Sequence, residues 1–422
     1  MSRAMKDSGV PWLKEIPVDW QVERGKNVLA LQKRPVRDND EVVTCFRDGE
    51  VILRSLRRTE GFTMSDKEIG YQGINEGDIV IHGMDGFAGA MGVSKSTGKG
   101  SPVLIVCTPK YDAIPRYIIY YLRALAMTDV FVALATGIRE RSCDLRWNKV
   151  SELEFIMPSS SEQQAIVEFL DRKCAEVDEM IALQEQIIEE LKAYKQSVIT
   201  EAVTKGLNPA APMRDSGIEW IGQIPEHWST KRLKNIFRLK TGTTPDGFDI
   251  VNEDSEIIPW FTPSDISDDC CELHQSERKL YKSEVGKIEL FPKGSLMFVG
   301  IGASAGKLGY SHISGYSNQQ ITALIPDNCN GKYYYYFLIA DRKRLRDNAF
   351  FTTLPIINNG YLSQNKVVYP PTTEQQAIAD YLDEKCADID SLIQTKQSKI
   401  DSLKEYKKSI IYEYVTGKRE VE

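Results

Sequence analysis

The chain has 422 residues, 42% of them hydrophobic and 27% charged, with 53 Lys+Arg against 60 Asp+Glu and a formal net charge of −7. At roughly 100–200 residues per domain this length suggests two to four domains with ample core, and the composition excludes wholesale disorder. No run approaches the ~20 apolar residues that span a bilayer, and the start Met1-Ser2-Arg3-Ala4-Met5-Lys6 lacks the apolar region and cleavage site of a signal peptide.

The eight cysteines form no Cys-x-x-Cys pair, which fits a reducing cytoplasm better than a disulfide framework. An acidic total also argues against a simple nucleic-acid coat, an inference that changes once the charge is divided along the chain.

Taken in order, the chain repeats itself. Residues 6–28, KDSGVPWLKEIPVDWQVERGKNV, align without gaps on residues 214–236, RDSGIEWIGQIPEHWSTKRLKNI, with 10 of 23 positions identical, among them Trp12/Trp220, Pro17/Pro225 and Trp20/Trp228. Residues 158–204 align on 370–416 with 23 of 47 identical, from Glu162-Gln163-Gln164-Ala165-Ile166 against Glu374-Gln375-Gln376-Ala377-Ile378 to a final Val-Thr. Between these blocks Gly77, Gly83, Gly89 and Gly92 match Gly294, Gly300, Gly306 and Gly309 at one constant offset of 217, beside the β-type runs 78–81 and 295–298. Glycine recurring beside strands marks turns with φ > 0 or close backbone approach. Both halves are therefore expected to share an α+β framework under divergent surfaces.

The repeat divides the chain into a first domain at 1–157, a helix at 158–204, a linker at 205–213, a second domain at 214–369, a second helix at 370–416 and a tail at 417–422. In the first helix an apolar seam runs Leu170, Cys174, Val177, Ile181, Gln184, Ile188, Leu191, Lys195, Val198, Ala202. The second gives Leu382, Cys386, Ile389, Ile393, Lys396, Ile400, Leu403, Lys407, Ile410, Tyr414. Steps alternating between four and three without Gly or Pro are a coiled-coil signature, and shared polar positions in the seam can set register. About 40 residues make a rod of roughly 60 Å. Two such copies related by a pseudo-twofold axis would pair antiparallel, the alternative being two amphipathic helices packed on separate domains. Ser160 or Ser161 and Thr372 or Thr373 are the expected N-caps.

Catalytic chemistry finds no foothold. Gly300–Leu308 imitates a phosphate loop, but the spacing to Gly306 is wrong and Leu308 stands where Ser or Thr is required. Cys270-Cys271-Glu272-Leu273-His274 has no fourth ligand at usual spacing, so zinc is not expected and no metal set is assigned. Cys174 and Cys386, on the seam, read as small packing residues. None of the four histidines sits in a recognisable motif or has an equivalent in the other half.

Split by segment, residues 1–157 hold 22 Lys/Arg against 21 Asp/Glu and residues 209–369 hold 18 against 18, whereas 158–208 hold 5 against 10 and 370–422 hold 8 against 11. The acidity belongs to the helices. The globular domains are neutral but carry basic runs at Arg54, Arg57 and Arg58, at Arg139, Arg141 and Arg146, at Lys231–Lys240, and at Arg342, Lys343, Arg344 and Arg346. Such residues neutralise phosphates, and Asn318-Gln319-Gln320 offers amides suited to adenine. Each run reads equally as a solvated helix face, and the glutamines as packing or amide hydrogen bonding.

The duplicated Asp-Ser-Gly-x-x-Trp-x-x-x-Ile-Pro-x-x-Trp and Glu-Gln-Gln-Ala-Ile segments, with Thr241–Pro245, Trp260–Ile266 and Ser317–Gln320, resemble the specificity subunits of type I restriction-modification systems. The first domain departs from the pattern, lacking Thr-Gly-x-Thr-Pro and Asn-Gln-Gln. The resemblance implies a non-catalytic reader of double-stranded DNA, each globular target-recognition domain taking one half of a bipartite, asymmetric site and the paired helices setting the spacer. It also implies two adenine-methylating modification subunits docked on the helices and ATP-driven restriction subunits. S-adenosylmethionine, ATP and Mg would lie on those partners and no cofactor in this chain. The DNA contacts expected are Arg54, Arg57, Arg58, Arg139, Arg141, Lys240, Thr243, Asn318, Gln319, Gln320, Arg342 and Arg344. A scaffold joining protein partners without reading DNA is the rival reading.

Overall fold

The computed structural model describes residues 3–57, 69–128, 130–133, 145–244, 257–268, 271–281, 288–351 and 355–421. The chain divides into two compact units, Met1–Glu185 with Gln397–Glu422, and Gln186–Lys396. The division cuts both long helices, so each unit holds one globular domain, the start of the helix that follows it and the end of the helix of the other repeat.

In the first unit, strands β1 (Leu29–Leu31), β2 (Ile79–His82), β3 (Met91–Val93) and β4 (Leu104–Pro109) form an antiparallel sheet in the order β1-β4-β2-β3. The β-branched run Ile79-Val80-Ile81 suits a central strand buried on both faces, and its alternation assigns the faces. Ile79 and Ile81 pack with Tyr117, Ile118 and Tyr121 of helix α1 (Pro115–Met127). Val80 joins Val43, Cys45 and Val51 of a hairpin on the opposite face. Helix α2 (Ser160–Lys205) leaves this unit after Glu185.

The second unit repeats the plan with β5 (Phe237–Thr241), β6 (Ile257–Phe261), β7 (Cys271–Leu273), β8 (Leu296–Val299), β9 (Leu308–Ser311), β10 (Tyr316–Ser317) and β11 (Ile321–Pro326). Its sheet order is β5-β11-β8-β9-β7, the last pair parallel. The pairing Leu324↔Leu239 in this unit matches Cys107↔Leu31 in the first at the offsets read from sequence. Leu296 and Phe298 face helix α3 (Gly331–Asp347), while Met297 and Val299 face Phe261, Ile266 and Leu273. Among the matched glycines, Gly77 and Gly294 take φ of +87° and +86°. A Cβ on Gly83 would come within 2.7 Å of the Leu145 carbonyl oxygen, and one on Gly300 within 3.0 Å of that of Ile357.

Helix α4 (Thr372–Val415) returns to the first unit. There Phe169 of α2 meets Tyr414 of α4 with ring centroids 4.3 Å apart, and Asp178 accepts from Lys407 at 2.6 Å. Advancing along α2 thus retreats along α4, and the helices are antiparallel. In the second unit Lys195 pairs with Asp390 at 2.7 Å, while Ile199 and Val203 share a core with Ile378 and Leu382 in the same sense. Leu170, Val177, Ile188, Leu382, Ile389 and Ile400 of the seam are buried, and Ile181, Leu191, Ile393 and Leu403 half-buried. The caps differ from expectation. Ser159 Oγ accepts from the Glu162 amide, and the Pro371 carbonyl accepts from the Glu374 and Gln375 amides. Among the described residues no helix is long and apolar enough to cross a membrane.

Candidate nucleic-acid interface

The repeated sequence blocks fix each domain to its helix. Trp20 Nε1 donates to Glu162 at 2.9 Å, and Trp228 Nε1 to Glu374 at 2.9 Å. Both indoles are buried. The next residue completes the joint: Gln163 accepts from the Ile114 amide at 2.9 Å and donates to the Pro158 carbonyl at 3.0 Å. Gln375 does the same with the Asn330 amide and the Pro370 carbonyl, both at 2.8 Å. The duplicated Trp and Glu-Gln are therefore one structural device, which holds each globular domain against its helix.

On that frame, three segments of the second unit converge. Pairing of β5 with β11 ends at Thr241↔Thr322, and the chain beyond β5 lies against the turn before β11. Gly242 N donates to the Ile321 carbonyl and Thr243 N to the Ser317 carbonyl, each at 2.9 Å. Thr244 Oγ1 donates to Gln319 Oε1 at 2.5 Å. A Cβ on Gly242 would collide with Ser317 Oγ and with the Ser317 and Asn318 carbonyl oxygens, so only glycine admits this approach. The third segment enters through β6, whose Phe261 carbonyl accepts from Asn318 N at 3.1 Å. There Asp265 caps its own turn by accepting from Thr262 N at 2.7 Å.

Asn318 Nδ2 donates to Gln320 Oε1 at 3.0 Å, and Gln320 N to Asn318 Oδ1 at 3.1 Å. These two side chains are half-buried and shape the turn, whereas Gln319 is exposed at its tip. Asn359, which has no sequence signature, bridges the strands by donating to Thr241 Oγ1 at 2.7 Å and accepting from Thr322 Oγ1 at 2.5 Å. Lys240 and Arg238 flank the group, both paired with Glu289, Lys240 at 3.6 Å.

In the first unit the register puts Lys33-Arg34-Pro35 where the second has Thr241–Thr243, and Ser101–Val103 where it has Asn318–Gln320. The 208-residue offset between the repeats, continued to residue 33, reaches the same positions. Arg34 is committed to the buried Asp78, whereas Lys33 is exposed. Together with Tyr71, Arg146 and Trp147 they line a cleft of about 870 Å³.

The other expected contacts do not join these groups. Arg54 Nε donates to Thr44 Oγ1 at 3.1 Å. Arg57 forms ion pairs with Asp48 at 2.6 Å and Glu50 at 3.2 Å and stacks on Phe46. Its guanidinium holds the Asp48 carboxyl below the usual carboxylate range. Arg58, Arg139 and Arg141 lie outside the described residues. Arg344 turns inward, donating through Nε and one terminal nitrogen to the buried Asp341 at 2.6 Å and to Asn365 at 2.6 Å. Arg342 donates to the Asp268 carbonyl and, with Lys192, Lys343 and Arg346, borders a separate cleft of about 690 Å³.

Residues 225–416 match the family model described as the type I restriction modification DNA specificity domain. The type I restriction enzyme MjaIX specificity subunit of Methanocaldococcus jannaschii is 28% identical over 192 residues, 43% of this chain and 42% of that protein. The chain thus aligns with under half the length of that relative. The MjaVIII specificity subunit of the same organism is 24% identical over 424 residues, 96% of this chain and 93% of its own length. A solved chain described under "Structural basis underlying complex assembly and conformational transition of the type I R-M system" superposes with a TM-score of 0.76 at 16% identity, covering 96% of this chain and 99% of that one. That likeness shows the fold.

Proposed function

We propose that this chain is a type I restriction-modification DNA specificity subunit, in which each globular domain reads one half of a bipartite, asymmetric site in double-stranded DNA. The observation that carries the reading is the closure of three separate segments around Gly242, which presents Thr243, Thr244 and Gln319 together at an exposed edge. Hydroxyls and an amide held by main-chain bonds are suited to base edges, while Lys240 and Arg238, two cations sharing the single Glu289 carboxylate, leave a net positive charge beside them for phosphate. In the first domain the corresponding group is Lys33 with Tyr71, Arg146 and Trp147 around the cleft. Arg344 has its fork occupied by Asp341 and is not carried forward as a DNA contact.

The chain itself performs no chemical step in this reading. The paired helices set the length of the unread spacer and dock two modification subunits, which bring S-adenosylmethionine and methylate adenine. Restriction subunits with ATP and Mg complete a cytoplasmic complex.

Co-expression with a modification subunit and single-molecule methylation mapping tests the proposal. Gln319→Ala with Thr243→Ala is expected to relax or abolish one half-site and leave the other intact. Inserting one heptad in both helices is expected to change the spacer and neither half-site. DNA binding should fall steeply with salt, as phosphate contacts require. A complex whose methylation pattern ignores all these changes would instead support a scaffold that does not read DNA.

A further inference from the structure

The edge strand β7 carries a group of side chains that the DNA reading does not use. Strand alternation turns Cys271 and Leu273 into the core and Glu272 and His274 outward. Parallel pairing with β9 matches Glu272 to Tyr310 and Leu273 to Ser311. Beyond the strand ends it brings His312 beside His274, with His312 N donating to the Leu273 carbonyl at 2.9 Å. The two imidazoles stack with centroids 4.3 Å apart and planes 8° from parallel. Their Nε2 atoms face one carboxylate oxygen, Glu272 Oε2, at 2.9 Å from His312 and 3.7 Å from His274. One potential ligand atom from each of the three residues lies within 4.8 Å of the others.

We propose that Glu272, His274 and His312 bind one first-row divalent transition ion, zinc foremost. Nitrogen and oxygen ligands at about 2.0–2.1 Å in tetrahedral array stand roughly 3.3–3.5 Å apart, within the spread of these atoms; a shared ion must also lie in the plane of each ring, so binding requires the stacked imidazoles to turn out of parallel, which the exposed His274 has room to do. Two imidazoles and a carboxylate are donors suited to zinc, and to nickel or copper by affinity order. The carboxylate is also held for the task. Lys332 binds its other oxygen, Oε1, and is itself paired with Asp383 of α4 at 3.2 Å, so Oε2 stays directed at the rings and the lysine charge is balanced. Three protein ligands leave a fourth position to water. The run Cys270–His274 by itself offers no further ligand at usual zinc spacing. The fold turns Cys271 into the core and brings His312 alongside from the neighbouring strand. An ion there would clamp β7 onto β9, closing the end of the sheet opposite β5.

The test uses the full chain stripped with chelator. Calorimetric titration with Zn²⁺, and visible absorption with Co²⁺ as a spectroscopic substitute, should give one ion per chain that millimolar Mg²⁺ does not displace. His274→Ala and His312→Ala should each weaken binding at least about tenfold. His227→Ala, whose ring lies on Glu374, should leave it unchanged. His274 is 66% exposed, so its replacement leaves the fold intact, which circular dichroism checks. Absence of binding, displacement by Mg²⁺, or wild-type affinity in both variants overturns the proposal.

Discussion

The Tyr117 hydroxyl lies 2.8 Å from the carbonyl oxygen of Ile156 and 3.2 Å from that of Val415, which is 298 residues further along the chain. In the second unit the hydroxyl of Tyr333 donates to the Val203 carbonyl at 2.8 Å. Each globular domain thus seals the last turn of the helix contributed by the other repeat. Those final carbonyls have no intrahelical partner, and burial without one is costly. Replacing either tyrosine by Phe keeps the ring and removes the donor, and should cost about 1–2 kcal/mol. Urea unfolding followed by a probe in the affected unit measures it. An unchanged midpoint would mean that the hydroxyl contributes nothing.

The helix pairing rests on reciprocal ion pairs. Lys195 is buried on the seam, but Asp390 is 53% exposed, so solvent screens the attraction. A double-mutant cycle over Lys195→Ala and Asp390→Ala should return a coupling of only about 0.5–1 kcal/mol. The cycle over Lys407 and Asp178 should return a similar value, since Asp178 is likewise 59% exposed. Coupling absent from both cycles would assign register to the apolar seam alone.

Gly242→Ala places a methyl against Ser317 and Asn318. Overpacking of this kind costs about 1–3 kcal/mol, and it forces the two loops apart. If each domain reads one half-site as proposed, methylation mapping should show loss of one half-site with the other retained. Simultaneous loss of both half-sites would point to unfolding, which a thermal melt distinguishes.

Burial pushes the thiols of Cys45, Cys107 and Cys329 up to about 12. Native protein treated with iodoacetamide at pH 8 should leave these three unmodified, and denatured protein should not, as peptide mass spectrometry will report. A raised native value favours the protonated thiol, so the stabilisation is complete below the unfolded value of about 9 and is lost as pH rises from there towards 12, by at most about 1.4 kcal/mol per pH unit per thiol. Stability that rises over that window would contradict it.

The degree to which the sequence disclosed this molecule follows from how local each constraint is. Gly77 and Gly294 were legible because a left-handed backbone position admits few residues other than glycine. The seam from Leu170 to Ala202 was legible because helix periodicity is a property of one segment. The cap at Ser159 was missed by one position, since several serines in a row offer the same chemistry and the entering backbone chooses among them. Arg344 and Arg57 stand in basic runs, and nothing local reveals Asp341 or Asp48 beside them. Asn359 bridges Thr241 and Thr322 from a distant part of the chain and has no signal of its own.

By itself the sequence determined the duplication, the α+β class and the two long helices, and it carried the resemblance to type I specificity subunits, because all of these are written in spacing and identity along one dimension. It could not decide which charges are spent inside the protein or which segments meet. Those follow from strand order. The pairing of β11 between β5 and β8 sets the Thr243 loop against Gln319, and the parallel pairing of β7 with β9 sets His274 against His312. Both are non-local contacts, whose partners are selected by burial of whole sheet faces and not by the residues that end up adjacent.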